Sequence, residues 1–259
     1  IDRAEQMRAN TANALLKTIE EPPENVTFVL LGTSTDLILP TIVSRCQCVP
    51  FRAMPLEESA QTVARATGAD AARCRMAVQV AGGPARAIEF LKSAERQDAR
   101  RQMLRAVDML RRSDEADILL AVRELMAAIK APLGELKDAQ KAMLEQNSDY
   151  LSRGALKQLE DRNKRELTAR ERSGIMEGLA SVRSLLRDVL LVLEDPAAPI
   201  VNEDAADIVE RVAAYTSTPG VVSALEAVAR AERCIARNIT PQLTIEVMLL
   251  DIRKALVCP

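Results

Sequence analysis

Between Met7 and Glu21 the apolar residues fall at helical spacing. Ala12, Leu15, Leu16 and Ile19 share one face, which predicts a helix over 7–21. Pro22 and Pro23 end it, because proline supplies no N–H and disfavours helical geometry in the residue before it. The next run, Val26–Thr33, is continuously apolar and rich in β-branched residues. That pattern predicts a strand of a parallel sheet, buried on both faces. Cys46–Phe51 predicts a second, shorter strand, with Pro50 placing it near an edge or a strand end.

From Leu56 onward the strand pattern is gone. Leu56–Gly68 predicts a short helix with glycine at its C-terminal stop. A second follows with Asp70 as N-cap, and a third with Pro84 in its first turn, where the missing donor does no harm. From about Asp98 the chain reads as helical throughout. In Ile118–Ile129 one stripe is assigned to Leu119, Val122, Leu125, Met126 and Ile129. Residues 137–194 predict two or three charge-rich helices with breaks near Asn147–Ser152. Glu194–Asp204 predicts a loop, and a closing helix follows with Thr240 as N-cap and Pro241 first. No period of 20–50 residues repeats with a constant signature, which argues against a solenoid. The pattern therefore predicts a mainly α protein with a short α/β start.

Composition narrows the function classes. A chain of 259 residues that is 48% hydrophobic and 28% charged has material for a core and fits one large domain or two to three small ones. No apolar stretch approaches a membrane span and no secretory signal is visible, so the expected location is cytoplasmic. The start at Ile1 without methionine predicts a piece of a longer or processed chain. Aromatic residues make up 2%, with no Trp, and the net charge is −2; both disfavour a general nucleic-acid binder. The absence of His removes imidazole base catalysis and the commonest metal ligand. Five cysteines at irregular spacing (Cys46, Cys48, Cys74, Cys234 and Cys258) predict free thiols, and the Cys46/Cys48 pair has no second pair with which to hold zinc.

Three stretches carry candidate chemistry. Asp2 stands where a Walker B aspartate would hold Mg²⁺, but Arg3 occupies the place of the acidic catalytic residue, and a cation there cannot act as a base. No G-x-x-x-x-G-K-[ST] loop occurs, so these residues should not bind ATP unaided. Arg153–Arg172 carries seven basic residues (Arg153, Lys157, Arg162, Lys164, Arg165, Arg170, Arg172) against four acidic ones. Mixed charge at helical spacing predicts a solvated face, with nucleic-acid contact as the alternative that the modest basic excess leaves open.

Ala12–Gln47 combines N-A-L-L-K-x-[LI]-E-E-P-P, an apolar run and then Ser44-Arg45-Cys46. In order and spacing it resembles the clamp-loader branch of the AAA+ ATPases. Within that branch the degraded Walker B and the C-terminal stretches, including "IVNED", resemble the delta-prime type of subunit, with the gamma/tau motor type as the competing reading. A helical adaptor with a vestigial α/β start is a third reading. The resemblance implies the C-terminal part of an AAA+ nucleotide-binding domain (1–53), a three-helix lid (54–97) and an all-α collar that joins subunits (98–259). It implies that Arg45 is an arginine finger given in trans, Ser44 and Cys46 setting its turn, against the simpler reading of a surface charge at a helix end. It places Thr33 at sensor 1 and Arg86 at the sensor 2 position. Asn13 and Lys17, one turn apart, are candidates for a subunit or DNA contact. The implied partners are gamma/tau and delta subunits, a sliding clamp and primer-template DNA. No cofactor is implied here, since ATP and Mg²⁺ would be held by the neighbouring subunit.

Overall fold

Proline and glycine set many of the helix ends in the computed structural model, which describes residues 1–147 and 150–257. The chain divides into two units, Ile1–Ala53 and Met54–Pro259.

In the first unit α1 spans Ala9–Glu20 and α2 is the short Pro40–Val43. Ala12 and Ile19 of α1 are buried with Ile42 of α2, and Leu15, Leu16, Leu30 and Ile38 pack around them. The two predicted strands do not form; no strand is present among the described residues. Within Val26–Thr33, Val26 N donates to Pro23 O of the preceding turn at 3.1 Å, and the ladder-like bonds reach only the chain start. The Ile1 amino group donates to Val29 O at 2.7 Å, Leu31 N donates to Ile1 O and Ala4 N to Leu31 O, both at 2.8 Å. Instead of being buried on both faces, Val29 and Leu31 are 61% and 55% exposed. In Cys46–Phe51 the backbone N–H of Cys46 alone bonds another main-chain group, Val43 O at 3.2 Å, and Phe51 is 93% exposed. A strand exists only through a ladder with a neighbour. Apolar composition gave these segments the preference, and the described residues supply almost no ladder.

The second unit is all helix. α3 (Leu56–Thr67), α4 (Ala71–Ala81) and α5 (Pro84–Lys92) start and stop where local chemistry places them. Gly68 takes φ 72° and returns its N–H to Ala64 O at 2.8 Å. The Asp70 carboxylate accepts from Arg73 N at 2.9 Å, and Pro84 opens α5. Their shared core holds Val63, Cys74, Ala77, Ala87 and Phe90. Burying Phe90 alone contributes about 1.5–3 kcal/mol.

The remaining helices are α6 (Ala94–Met109), α7 (Glu115–Lys130), α8 (Leu133–Asn147), α9 (Arg153–Glu194), α10 (Ala206–Ala213), α11 (Thr218–Ala236) and α12 (Pro241–Val257). The predicted closing helix therefore begins at Pro241. Of the predicted break at Asn147–Ser152, residues 148–149 lie outside the described residues, as does Cys258. At 42 residues, α9 is roughly 63 Å long. Its N-terminal half runs beside α8 and stays polar. From Ile175 to Val189 it is buried on most sides and packs against α4, α6, α7, α10 and α11. On α7 the buried stripe is Ile118, Val122, Leu125, Met126 and Ile129. Leu119 was assigned to it from sequence but lies about 100° further round the helix and is 42% exposed. A capping box between Asp114 and Asp117 starts α7.

Buried polar groups fasten this unit. Asp188 of α9 accepts through Oδ2 from Val201 N (3.0 Å), Asn202 N (2.8 Å) and Asn202 Nδ2 (2.7 Å). Asn202 also donates to Ser184 Oγ at 2.9 Å and accepts from Arg100 of α6 at 2.8 Å. Ser184 in turn donates to Gln79 of α4 at 3.4 Å. One chain of hydrogen bonds thus runs from α6 through the 195–202 loop to α9 and α4. No helix among the described residues is long and apolar enough to cross a membrane.

Candidate functional site at the Ser44-Arg45-Cys46 turn

Pro40 opens α2, and the chain tightens immediately after it. Arg45 N donates to Ile42 O at 3.0 Å and Cys46 N to Val43 O at 3.2 Å, both 3₁₀-type bonds that end the helix abruptly. Cys46 is half-buried against the small core of the first unit, while Ser44 and Arg45 face out. Ser44 Oγ donates to Thr41 O at 3.2 Å.

Arg45 does not extend freely from this turn. Its Nε donates to Glu20 Oε1 at the end of α1, and the two side chains form an ion pair. Its Nη1 donates to Thr41 O at 2.9 Å and to Ser44 Oγ at 3.3 Å. Nη2 makes no hydrogen bond within the described residues. The side chain stays 36% exposed. The guanidinium is thus gripped from one side and open on another. Glu20 was not singled out from sequence, although it is the first acid of the E-E-P-P stretch. Nothing local ties a residue at position 20 to one at position 45.

The remaining candidates fall in separate places. Asp2 and Arg3 are exposed, and Arg3 takes the left-handed backbone with φ 53°. Thr33 reaches the segment that follows Asp2, but through a residue not singled out from sequence: its hydroxyl donates to Glu5 Oε1 at 3.3 Å. Among the described residues the Asp2 side chain makes no hydrogen bond or ion pair. Asn13 and Lys17 are exposed on α1, without side-chain partners among the described residues. Arg86 lies in the second unit, on the first turn of α5, exposed and without an ion-pair partner among the described residues. Cys46, Cys48, Cys74 and Cys234 are free thiols. Burial pushes the Cys74 thiol up, against a smaller opposing hydrogen bond with Thr67, which disfavours its reactive thiolate. Among the described residues no group of three or more acids and cysteines is placed to hold a metal. Asp2 beside Arg3 does not fit a magnesium site either, since the neighbouring cation opposes one.

Residues 1–55 match the family described as "DNA polymerase III, delta subunit". DNA polymerase III subunit delta' of Bacillus subtilis is 33% identical over 112 residues, covering 42% of this chain and 33% of that protein. Over these stretches the chain is similar to DNA polymerase III clamp-loader subunits. Other proteins similar to this chain are of the gamma and tau kind. Subunit gamma of Buchnera aphidicola is 54% identical over 46 residues, 18% of this chain and 13% of that protein. Subunit gamma/tau of Mycobacterium tuberculosis is 44% identical over 55 residues, 21% and 10% respectively. The alignments thus span a third or less of the length of these curated relatives. The clamp-loader family match contains Asp2, Thr33 and the Ser44-Arg45-Cys46 turn, and ends before Arg86. Within the "IVNED" stretch, Asn202 and Asp204 hold the buried Arg100, and Glu203 pairs with Arg75. In the basic Arg153–Arg172 stretch, Arg170 pairs with Glu166 one turn away, and Arg172 donates to Asn238 Oδ1 at 2.9 Å.

Proposed function

We propose that this protein is a non-hydrolysing, cytoplasmic subunit of a bacterial clamp loader and that Arg45 acts in trans on ATP·Mg²⁺ held by a neighbouring gamma/tau-type subunit. The carrying observation is an exposed arginine on an abruptly ended helix, inside the segment that matches the family. A guanidinium is planar, permanently charged and forked, and so complements the oxygens of a transferring phosphoryl group. Fingers of this kind contribute about 10³–10⁵ in rate. The ion pair with Glu20 does not cancel that role: an exposed pair is worth about 0–1 kcal/mol, against about 4–7 kcal/mol for such a rate factor. In this reading residues 54–97 act as a lid, with Arg86 at the sensor 2 position. Residues 98–259 form the collar that joins gamma/tau and delta subunits in a ring, which places the sliding clamp on primer-template DNA during replication.

The 54% identity to a gamma subunit over 46 residues supports a second reading, a motor that hydrolyses ATP itself. Arg3 in the place of the catalytic acid and the lack of a phosphate loop in these 259 residues weigh against it. The test uses the full-length chain assembled with its loader partners. Arg45→Ala should lower clamp- and DNA-stimulated ATP turnover by at least about tenfold at the affected site. An unchanged rate refutes the finger. Turnover by the full-length chain alone would establish the motor reading.

A further inference from the structure

We propose that Glu20 is a positioning residue for Arg45, a role that rests on the trans-finger reading above. The guanidinium has five N–H donors. Glu20 engages Nε, and the Thr41 carbonyl and Ser44 hydroxyl engage Nη1. Three contacts from three residues fix a planar group in position and in rotation. The donors left over are those of Nη2, which have no acceptor in the described chain. The arrangement offers one chosen edge of the guanidinium, with a carboxylate behind it to hold the plane.

The fold gives Glu20 the means to do this. It is the last residue of α1, and Glu21 N closes that helix on Lys17 O at 2.9 Å just before Pro22 and Pro23. The buried contact of Ala12 and Ile19 with Ile42 sets α1 against α2. Glu20 and Thr41 therefore meet Arg45 from two packed elements instead of from mobile chain. The ligand for the free edge is a phosphoryl oxygen, the acceptor that the finger reading requires.

The opposite role is a latch, in which Glu20 sequesters Arg45 until something frees it. The two make opposite predictions. In the assembled complex with full-length chain, Glu20→Ala should lower the stimulated kcat for ATP by about tenfold while leaving KM within about twofold, since misplacement of a group by about 1 Å costs rate and not substrate binding. Glu20→Gln keeps an oxygen acceptor for Nε and should restore most of the rate. The double variant Glu20→Ala/Arg45→Ala should be no slower than Arg45→Ala alone. The melting temperature of Glu20→Ala should stay within about 2 °C of wild type, because an exposed pair contributes little stability. A Glu20→Ala rate equal to or above wild type, with Arg45→Ala slow, overturns the positioning role and leaves the finger intact. Equal losses in Glu20→Ala and Glu20→Gln also overturn it. An unchanged Arg45→Ala rate overturns the finger reading itself, and this inference with it.

Discussion

Replacing Asp188 by alanine removes the acceptor on which the interior of the helical unit converges. The side chain is 1% exposed, and its Oδ2 takes three hydrogen bonds, two from the main chain at Val201 and Asn202 and one from the Asn202 side chain. Alanine leaves the two backbone donors without a partner. The Asn202 amide keeps Ser184 and, through its oxygen, Arg100. Each buried donor left unsatisfied costs about 1–3 kcal/mol, so the direct loss is about 2–6 kcal/mol. Water entering the vacated space offsets part of this, and we expect about 3 kcal/mol. For a protein of this size about 3 kcal/mol lowers the melting temperature by about 6–12 °C. Asp188→Asn should fall between the two. Its oxygen can still accept, but its amide nitrogen would occupy the site of Oδ1, a buried atom with no partner among the described residues. Thermal unfolding followed by far-UV circular dichroism measures all three proteins, and hydrogen exchange at Val201 and Asn202 reports the local loss. A Asp188→Ala melting temperature within about 2 °C of wild type would refute the reasoning, as would Asp188→Asn proving the more damaging change.

Two glycines should respond in opposite directions. A Cβ on Gly220 would lie 2.6 Å from the main-chain oxygen of Ala255, which cannot swing aside, so Gly220→Ala should destabilise by about 1–3 kcal/mol. Nothing lies within 4 Å of a Cβ on Gly134 in α8, and Gly134→Ala should stabilise by about 0.5 kcal/mol through helix propensity; urea midpoints that move the same way in both would contradict this. Tyr215 provides a pH test. Burial, with a smaller contribution from Asp108, raises its pKa from 10.0, Arg111 opposes the rise, and its hydroxyl has no hydrogen-bond partner among the described residues. The neutral phenol is the form the fold prefers, so its contribution is complete below the unfolded value and is lost as pH rises through the higher folded value. Tyr215→Phe should equal or exceed wild-type stability by up to about 1 kcal/mol at pH 7 and lose less than wild type between about pH 9.5 and 11; parallel alkaline losses in the two proteins would refute it.

What the sequence determined by itself was local. Gly68, Asp70, Pro84 and Pro241 act within a turn of their own position, so the helix ends they set needed no knowledge of the rest of the chain. The spacing that singled out Arg45 is likewise written along one segment. Tertiary structure decided everything that depends on a distant partner. Val26–Thr33 has the composition of a buried strand, but a ladder belongs to two segments, and here it extends only to the first few residues. Leu119 and Ile118 are adjacent apolar residues, and the neighbouring helices chose between them. Asn202 meets Arg100 from 102 positions away, and Glu20 meets Arg45 across 25. Such pairs leave no periodicity to read, because the free energy that selects them is earned only after the helices have packed.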